Sequence, residues 1–315
     1  MSGLHISWFR QDLRVHDNAA LRAAAQSAQR EGGEVLPLYI LPRALDPAVK
    51  NGAQVQRDAL TDLRAALRQR DAELHLRQGD VLELLSDLHA KHQILSLHAH
   101  ETLEAAPIDA SVEAWALRAG VRFHLYRQFQ PNVMPRGHES WQTVWERFMA
   151  RPRNEAPDHL SAANIGIGRW LDLLSDEDEP AGEAPQGGRK QAILKLRRFL
   201  GMATPDRPST QSGQDAFKAL EPDLRLGAVS IREVWQAAIG AHQQALKAGL
   251  DIRAASIASF LQMLPSLSRT NARGALKPRA GPPVSVGQAQ AELGDQLSLG
   301  FGNSDRQKGE SAKNY

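Results

Sequence analysis

Between Phe9 and Ala19 the chain crowds Arg10, Asp12, Arg14, His16, Asp17 and Asn18 behind the apolar Ile6, Trp8 and Phe9. A strand that empties into such a charged loop ahead of a helix is where α/β proteins keep their ligands. The same residues also suit a structural end. Asp12 and Arg14 can pair and fix the turn, an exposed pairing of this kind being worth roughly 0 to 1 kcal/mol. Arg10 and Asp12 are the first candidates for ligand contact. Ile40 and Leu41 close the apolar run "VLPLYIL", and Glu101 follows "LSLHAH". If these runs are parallel strands, all five residues gather at one edge of one sheet, outside the strands' carboxyl ends, where α/β proteins hold ligands.

Other chemistry-bearing residues have plainer uses. His98 and His100 stand two apart and share a strand face, but a metal needs a third ligand and the nearby Glu101 points the other way. No metal site and no catalytic residue are assigned. Trp115, Trp141, Trp145 and Trp170 invite an electron-transfer role. Trp141 and Trp145, four apart with Phe148 following, have instead the spacing of a helix's buried stripe. Arg189, Lys190, Lys195, Arg197 and Arg198 suit either a solvated helix face or contact with phosphate.

The elements that must position these groups alternate. Apolar runs at 4–9, 35–40, 73–77, 94–98 and 121–126 read as strands, with amphipathic stretches at 19–30, 54–70, 81–92 and 108–119 between them. Ala59, Leu60, Leu63, Ala66 and Leu67 recur at helical spacing, with Arg57, Asp58, Arg64, Arg68 and Arg70 mostly opposite. Asp17 or Asn18 can cap the first helix. Residues 1–150 are therefore expected to form an α/β domain, a Rossmann-like parallel sheet with helices on both faces. The Pro, Gly and acidic residues of 151–187 read as a linker. Residues 188–264 read as a partial all-helical domain: Ala192, Leu196, Phe199 and Leu200 keep core spacing, and Ser230 with Glu233 forms a capping-box pattern. Residues 265–315 lose all period and are expected to be disordered.

With 315 residues, 42% hydrophobic and 23% charged, the composition is that of a soluble globular protein. A net charge of +2 permits a nucleic-acid partner without arguing for one. The absence of cysteine excludes disulfides, thiolate metal sites and cysteine nucleophiles. No apolar run approaches the roughly 20 residues that span a bilayer, and no signal peptide is recognised. A cytoplasmic location is expected.

Laid along these elements, "WFRQDLRVHDNAAL" resembles the motif that opens photolyases and cryptochromes, flavoproteins that repair ultraviolet-damaged DNA or sense light. "VLPLYIL" and "RQGD" resemble that family's second and third strands. "GGRKQAILKLRRFL" resembles the helix that opens its flavin domain, and "LEPDLRLGAVSIREVW" its "L-S-P-x-L-x-x-G-x-x-S-x-R-x-V". "QFQPNVMPRGHESWQTVWERFMARP" is similar to a bacterial branch. The resemblance covers roughly residues 4 to 260. It implies an antenna domain whose cleft, rimmed by Arg10, Asp12, Ile40, Leu41 and Glu101, holds a folate, lumazine, deazaflavin or flavin. It further implies FAD near Lys218, Leu220 and Leu224, with DNA as the partner.

Departures from the pattern shape the functional expectation. Where the family places hydroxyl residues against the flavin phosphates, this chain has Phe217, Lys218 and Ala219, and Glu221 replaces the motif's serine. A carboxylate beside a pyrophosphate is repulsive by about 1 kcal/mol or more, which Lys218 offsets in part. No tryptophan follows Trp235, so most of the family's flavin domain is expected to be missing through truncation or frameshift. The chain is thus expected to bind an antenna chromophore. By resemblance it is a deoxyribodipyrimidine photolyase, its light-driven repair of pyrimidine dimers absent or weak. Two alternatives stay open: a photolyase or blue-light receptor completed by a partner chain, and an inactive gene remnant.

Overall fold

Every residue of strand β1 (Leu4–Phe9) is buried, with Ile6 and Trp8 packed on one face and Phe9 on the other. Burial on both faces places a strand in the middle of a parallel sheet. The computed structural model describes residues 3–41, 53–102, 106–128, 138–165, 185–201 and 211–274. In it β1 lies between β2 (Glu34–Leu41) and β4 (Ile94–His100), with β3 (His75–Gln78) and β5 (Arg122–Tyr126) outermost. The order is β3-β2-β1-β4-β5 and every pair is parallel, so the α/β expectation holds. The register sets Ile6 opposite Leu36 and Leu97, and Trp8 opposite Leu38 and Ala99. The strand order reverses at β1, so the crevice between the ends of β1 and β4 is the topological switch point.

Four crossover helices cover the sheet: α1 (Ala19–Glu31), α2 (Ala53–Arg68), α3 (Val81–His92) and α4 (Ala106–Ala119). Leu21, Leu63 and Leu67 of α1 and α2 join Phe9 and Val35 on one face. Leu85, Val112 and Trp115 of α3 and α4 join Ile6, Trp8 and Leu97 on the other. Each such side chain contributes about 1.5–3 kcal/mol on burial. Of the two expected caps, Asn18 is the one used, its oxygen accepting from the Leu21 N–H at 2.9 Å.

A helical part follows: α5 (Trp141–Met149), α6 (Gly188–Phe199), α7 (Gly213–Arg225), α8 (Ile231–Lys247) and α9 (Asp251–Gly274). Trp145, Phe199, Leu220, Val234 and Phe260 fill its core. Trp141 stacks on Trp145 at 6.3 Å and Trp235 meets Trp145 edge-on at 6.2 Å, so these tryptophans serve packing. Trp170 lies outside the described residues.

Three features differ from the expectation. Helix α9 does not stop at Pro265 but runs through it to Gly274. Its buried stripe Ile257, Phe260, Leu264 and Leu267 continues across the proline, and that burial outweighs the roughly 3 kcal/mol an interior proline costs. The remainder of the expected tail, 275–315, lies outside the described residues. The expected linker is not free over 151–165: the Val35 N–H donates to the Ser161 carbonyl at 2.7 Å and the Ala163 N–H to the Val35 carbonyl at 3.0 Å. This stretch fills the sheet position beside the first half of β2, which the short β3 leaves open. Third, the capping box at α8 closes by half. Ser230 accepts from the Arg232 N–H at 3.2 Å, whereas Glu233 turns away to Arg189.

Candidate functional site

The carboxyl edge of the sheet is organised around Asp12, which is 1% exposed. One carboxylate oxygen accepts the Arg10 backbone N–H at 2.7 Å; the other accepts Asn18 Nδ2 at 3.2 Å and meets His100 Nδ1 at 2.7 Å. Burial alone would raise its pKa, but the hydrogen bond and charge of His100, with the Arg10 amide and Arg14, hold it below the usual carboxylate range. Arg10 lies over the switch point, its guanidinium 4.6 Å from the Trp8 ring. One terminal nitrogen reaches Asp109 of α4 at 2.5 Å, the other donates to the His100 carbonyl, and Nε is buried with no partner among the described residues.

The rest of the charged exit faces the helical part. Arg14, 3% exposed, donates to the carbonyls of Gly227 and Asp17, each at 3.0 Å. The Leu13 N–H donates to the Leu226 carbonyl at 3.1 Å. Asp17 accepts the Ser230 hydroxyl at 2.5 Å and the Asn154 N–H at 2.9 Å, with Arg232 at 3.6 Å. Gly227 has φ +67, and a Cβ there would collide with the Gln11 carbonyl and the Asp12 Cα. The two most distinctive sequence motifs, around residues 8–21 and 220–235, therefore lie against each other. No local pattern announces this contact, and the only sequence signal was that both motifs are dense in residues the core does not need.

A polar strip missed by sequence reasoning runs under α1. His5 Nδ1 meets Ser96 Oγ at 2.7 Å, Ser96 Oγ meets His98 Nε2 at 2.8 Å, and His98 Nδ1 meets the Tyr126 hydroxyl at 2.9 Å. His124 stacks on His98 at 4.9 Å. Burial lowers the pKa of His5, His98 and His124 and raises that of Tyr126, so the strip is held uncharged. His98 and His100 share a face as expected, yet His98 joins this strip and His100 joins Asp12.

The remaining expected site residues separate. Ile40 is half-buried at the sheet edge, Leu41 is 4% exposed in the core beneath it, and Glu101 pairs with Arg127 at 3.3 Å on the rim. Leu220 and Leu224 lie in the helical core beside Phe217, Lys218 is exposed, and Glu221 takes Arg225 at 2.7 Å. A flavin pyrophosphate needs donors free to point at it. Helix α7 begins upstream, where Ser212 caps the Asp215 N–H at 3.1 Å, so the backbone around Leu220 is helix interior with its N–H groups committed. These residues do not fit the phosphates of a flavin. On α6, Arg189 makes two bonds to Glu233 at 2.8 and 2.9 Å and Lys195 reaches the buried Asp223 at 2.8 Å; Lys190, Arg197 and Arg198 are exposed. Among the described residues no acid, histidine or cysteine cluster has the arrangement of a metal site, and no helix is long and apolar enough to cross a membrane.

The family model for DNA photolyase matches residues 5–138. A deoxyribodipyrimidine photo-lyase of Synechococcus sp. is 29% identical over 260 residues, covering 75% of this chain and 53% of that one. An uncharacterized 31.6 kDa protein encoded 5′ of atpI in another Synechococcus is 26% identical, covering 83% of this chain and 97% of that one. Among solved structures, a Synechocystis sp. cryptochrome superposes with a TM-score of 0.64 at 18% identity, over 86% of this chain and 60% of that one. The chain spans about half the length of the photolyase it matches.

Proposed function

We propose, from an N-terminal region that is a DNA photolyase domain and a chain related to photolyases and cryptochromes, that this protein binds an antenna-type chromophore at the carboxyl edge of its sheet. The observation that carries this proposal is Arg10. Its Nε lies buried and unpartnered at the switch point while Asp109 and the His100 carbonyl hold the other two nitrogens in place. Leaving such a donor unmade costs about 1–3 kcal/mol, which an acceptor on a bound ring system would recover once the side chains that now cover the atom move aside. Folates, lumazines, deazaflavins and flavins all carry such acceptors on flat heteroaromatic rings. Ile40 offers them apolar contact, and Glu101 with Arg127 forms a polar rim. Asp12 and Leu41 act from beneath, one orienting the turn and the other packing it.

Flavin-dependent repair of pyrimidine dimers in DNA is proposed to be absent or weak, and the helix that continues through Lys218, Leu220, Pro222 and Leu224 supports that half. The deciding experiment is the near-ultraviolet and visible spectrum of the purified full chain, with any released ligand identified by mass. A lumazine, deazaflavin, folate or flavin at about one per chain, lost in Arg10→Leu and unaccompanied by dimer repair under blue light, is the expected result. A colourless protein that refuses all four ligands would overturn chromophore binding. Repair of dimers by bound FAD would overturn the second half.

A further inference from the structure

We infer that a hollow on the helical part binds a small organic anion, an apolar body carrying one carboxylate or phosphate. The hollow has a volume of about 300 Å³ and lies between α6 and α8, beside Arg153. Its floor is aliphatic: Ile193 of α6 and Leu200, which caps that helix, meet Ala237 of α8. Ile193, Arg197 and Leu200 follow one another at helical spacing, so Arg197 stands at the rim above the apolar surface that its neighbours form. Arg153 supplies a second guanidinium from the segment after α5, half-exposed with its side chain 51% accessible.

The charge balance decides the sign of the ligand. Glu233 is the acid that lines the hollow, and both its oxygens are taken by Arg189, at 2.8 and 2.9 Å. Burial opposes its charge, but Arg189 first, then Arg153 and His16, hold its pKa below the usual range, so it is ionised and already neutralised. Arg153 comes only to 3.7 Å of Glu233, beyond hydrogen-bond length. Arg197 is exposed, with no acid paired to it among the described residues. Two arginines, Arg153 and Arg197, thus line the hollow beside one carboxylate that Arg189 already neutralises, over a floor that water does not solvate well. Forked guanidinium donors fit a carboxylate or phosphate, and an aliphatic floor favours a ligand with an apolar end over a bare inorganic ion. The volume sits at the small end of ligand pockets, about 300–1,000 Å³, which suits a compact molecule.

Titration calorimetry on the full chain tests this, with octanoate and phenyl phosphate as the carboxylate and phosphate probes and octanol and inorganic phosphate as controls. The expected result is saturable one-to-one binding of at least one organic anion with Kd below ~1 mM, at least tenfold tighter than either control. Arg197→Ala and Arg153→Ala each weaken it at least tenfold, about 1.4 kcal/mol, and Ala237→Phe, which fills the floor and keeps the arginines, abolishes it. Both arginine heads are exposed, so these variants keep their circular dichroism and melting behaviour. No saturation by either anion below ~10 mM would overturn the inference. Equal binding of octanol or inorganic phosphate would do the same, as would unchanged affinity in the arginine variants. The visible spectrum is read separately, so failure here leaves the chromophore proposal standing.

Discussion

At the residue scale, buried polar side chains carry the most informative energetics. Asp12 accepts hydrogen bonds from Arg10 and Asn18 and pairs with His100. Removing one partner of a buried pair costs about 3–5 kcal/mol because the others stay buried and unsatisfied. Asp12→Ala should lower the unfolding free energy by that amount, read as a lower urea midpoint at an unchanged m-value, and Asp12→Asn should fall between that variant and the wild type. A pH effect follows from His75, which is 2% exposed; burial first and Arg77 second lower its pKa to about 4. The unfolded histidine titrates near 6.5, so on acidification the unfolded chain takes up the proton first. The stability is complete above pH 6.5 and is lost as pH falls through 6.5 towards about 4, reaching about 3 kcal/mol for this residue alone. His5, His98 and His124 act with the same sign. Asp12 and Glu233, held below 3.8 and 4.5, lose their contributions in a lower window. Urea melts between pH 8 and 4 should show the first loss, and His75→Gln should reduce it by that residue's share, the other buried histidines keeping the rest.

At the element scale, the loop between α7 and α8 is a docking piece. Gly227 takes φ +67 where the exit of β1 presses against it. A side chain in that conformation costs about 1–2 kcal/mol before any collision is counted, so Gly227→Ala should destabilise by at least about 2 kcal/mol. Guanidine denaturation measures this directly. If the variant melts like the wild type, the two segments do not touch in solution. The elements themselves were largely legible. Leu4–Phe9 and Val81–His92 have the bounds their periodicity indicates, because alternation and helical spacing report the local backbone. Pro265 misled for a physical reason. A proline reads as a stop in sequence, but the buried stripe Ile257, Phe260, Leu264 and Leu267 keeps α9 helical across it.

For the molecule as a whole, the charged exit of β1 couples the sheet to the helices. Arg14 holds Gly227, Asp17 holds Ser230, and Leu13 bonds Leu226. Asp58 and Asp62 of α2 also receive the Gln186, Gly187 and Lys190 backbone N–H groups at the start of α6. A contact this polar and this buried should make residues 3–274 unfold in one calorimetric transition. Arg14→Ala, which leaves the Gly227 carbonyl and Asp17 region without their donor, should separate or broaden that transition. Two resolved transitions in the wild type would show that the halves melt independently.

The sequence by itself determined the alternation of strand and helix, the parallel sheet, the family resemblance and the charged exit after Phe9, since each rests on neighbours along the chain. Only the tertiary structure decided what that exit does. It sends Asp12 to His100, Arg14 to Gly227 and Asp17 to Ser230, leaves one Arg10 nitrogen unpaired, and turns Leu220 and Leu224 into core. Those partners lie about ninety to over two hundred residues apart in the chain. Side-chain type specifies what a group can bind, but register and packing choose which distant group comes within hydrogen-bond reach.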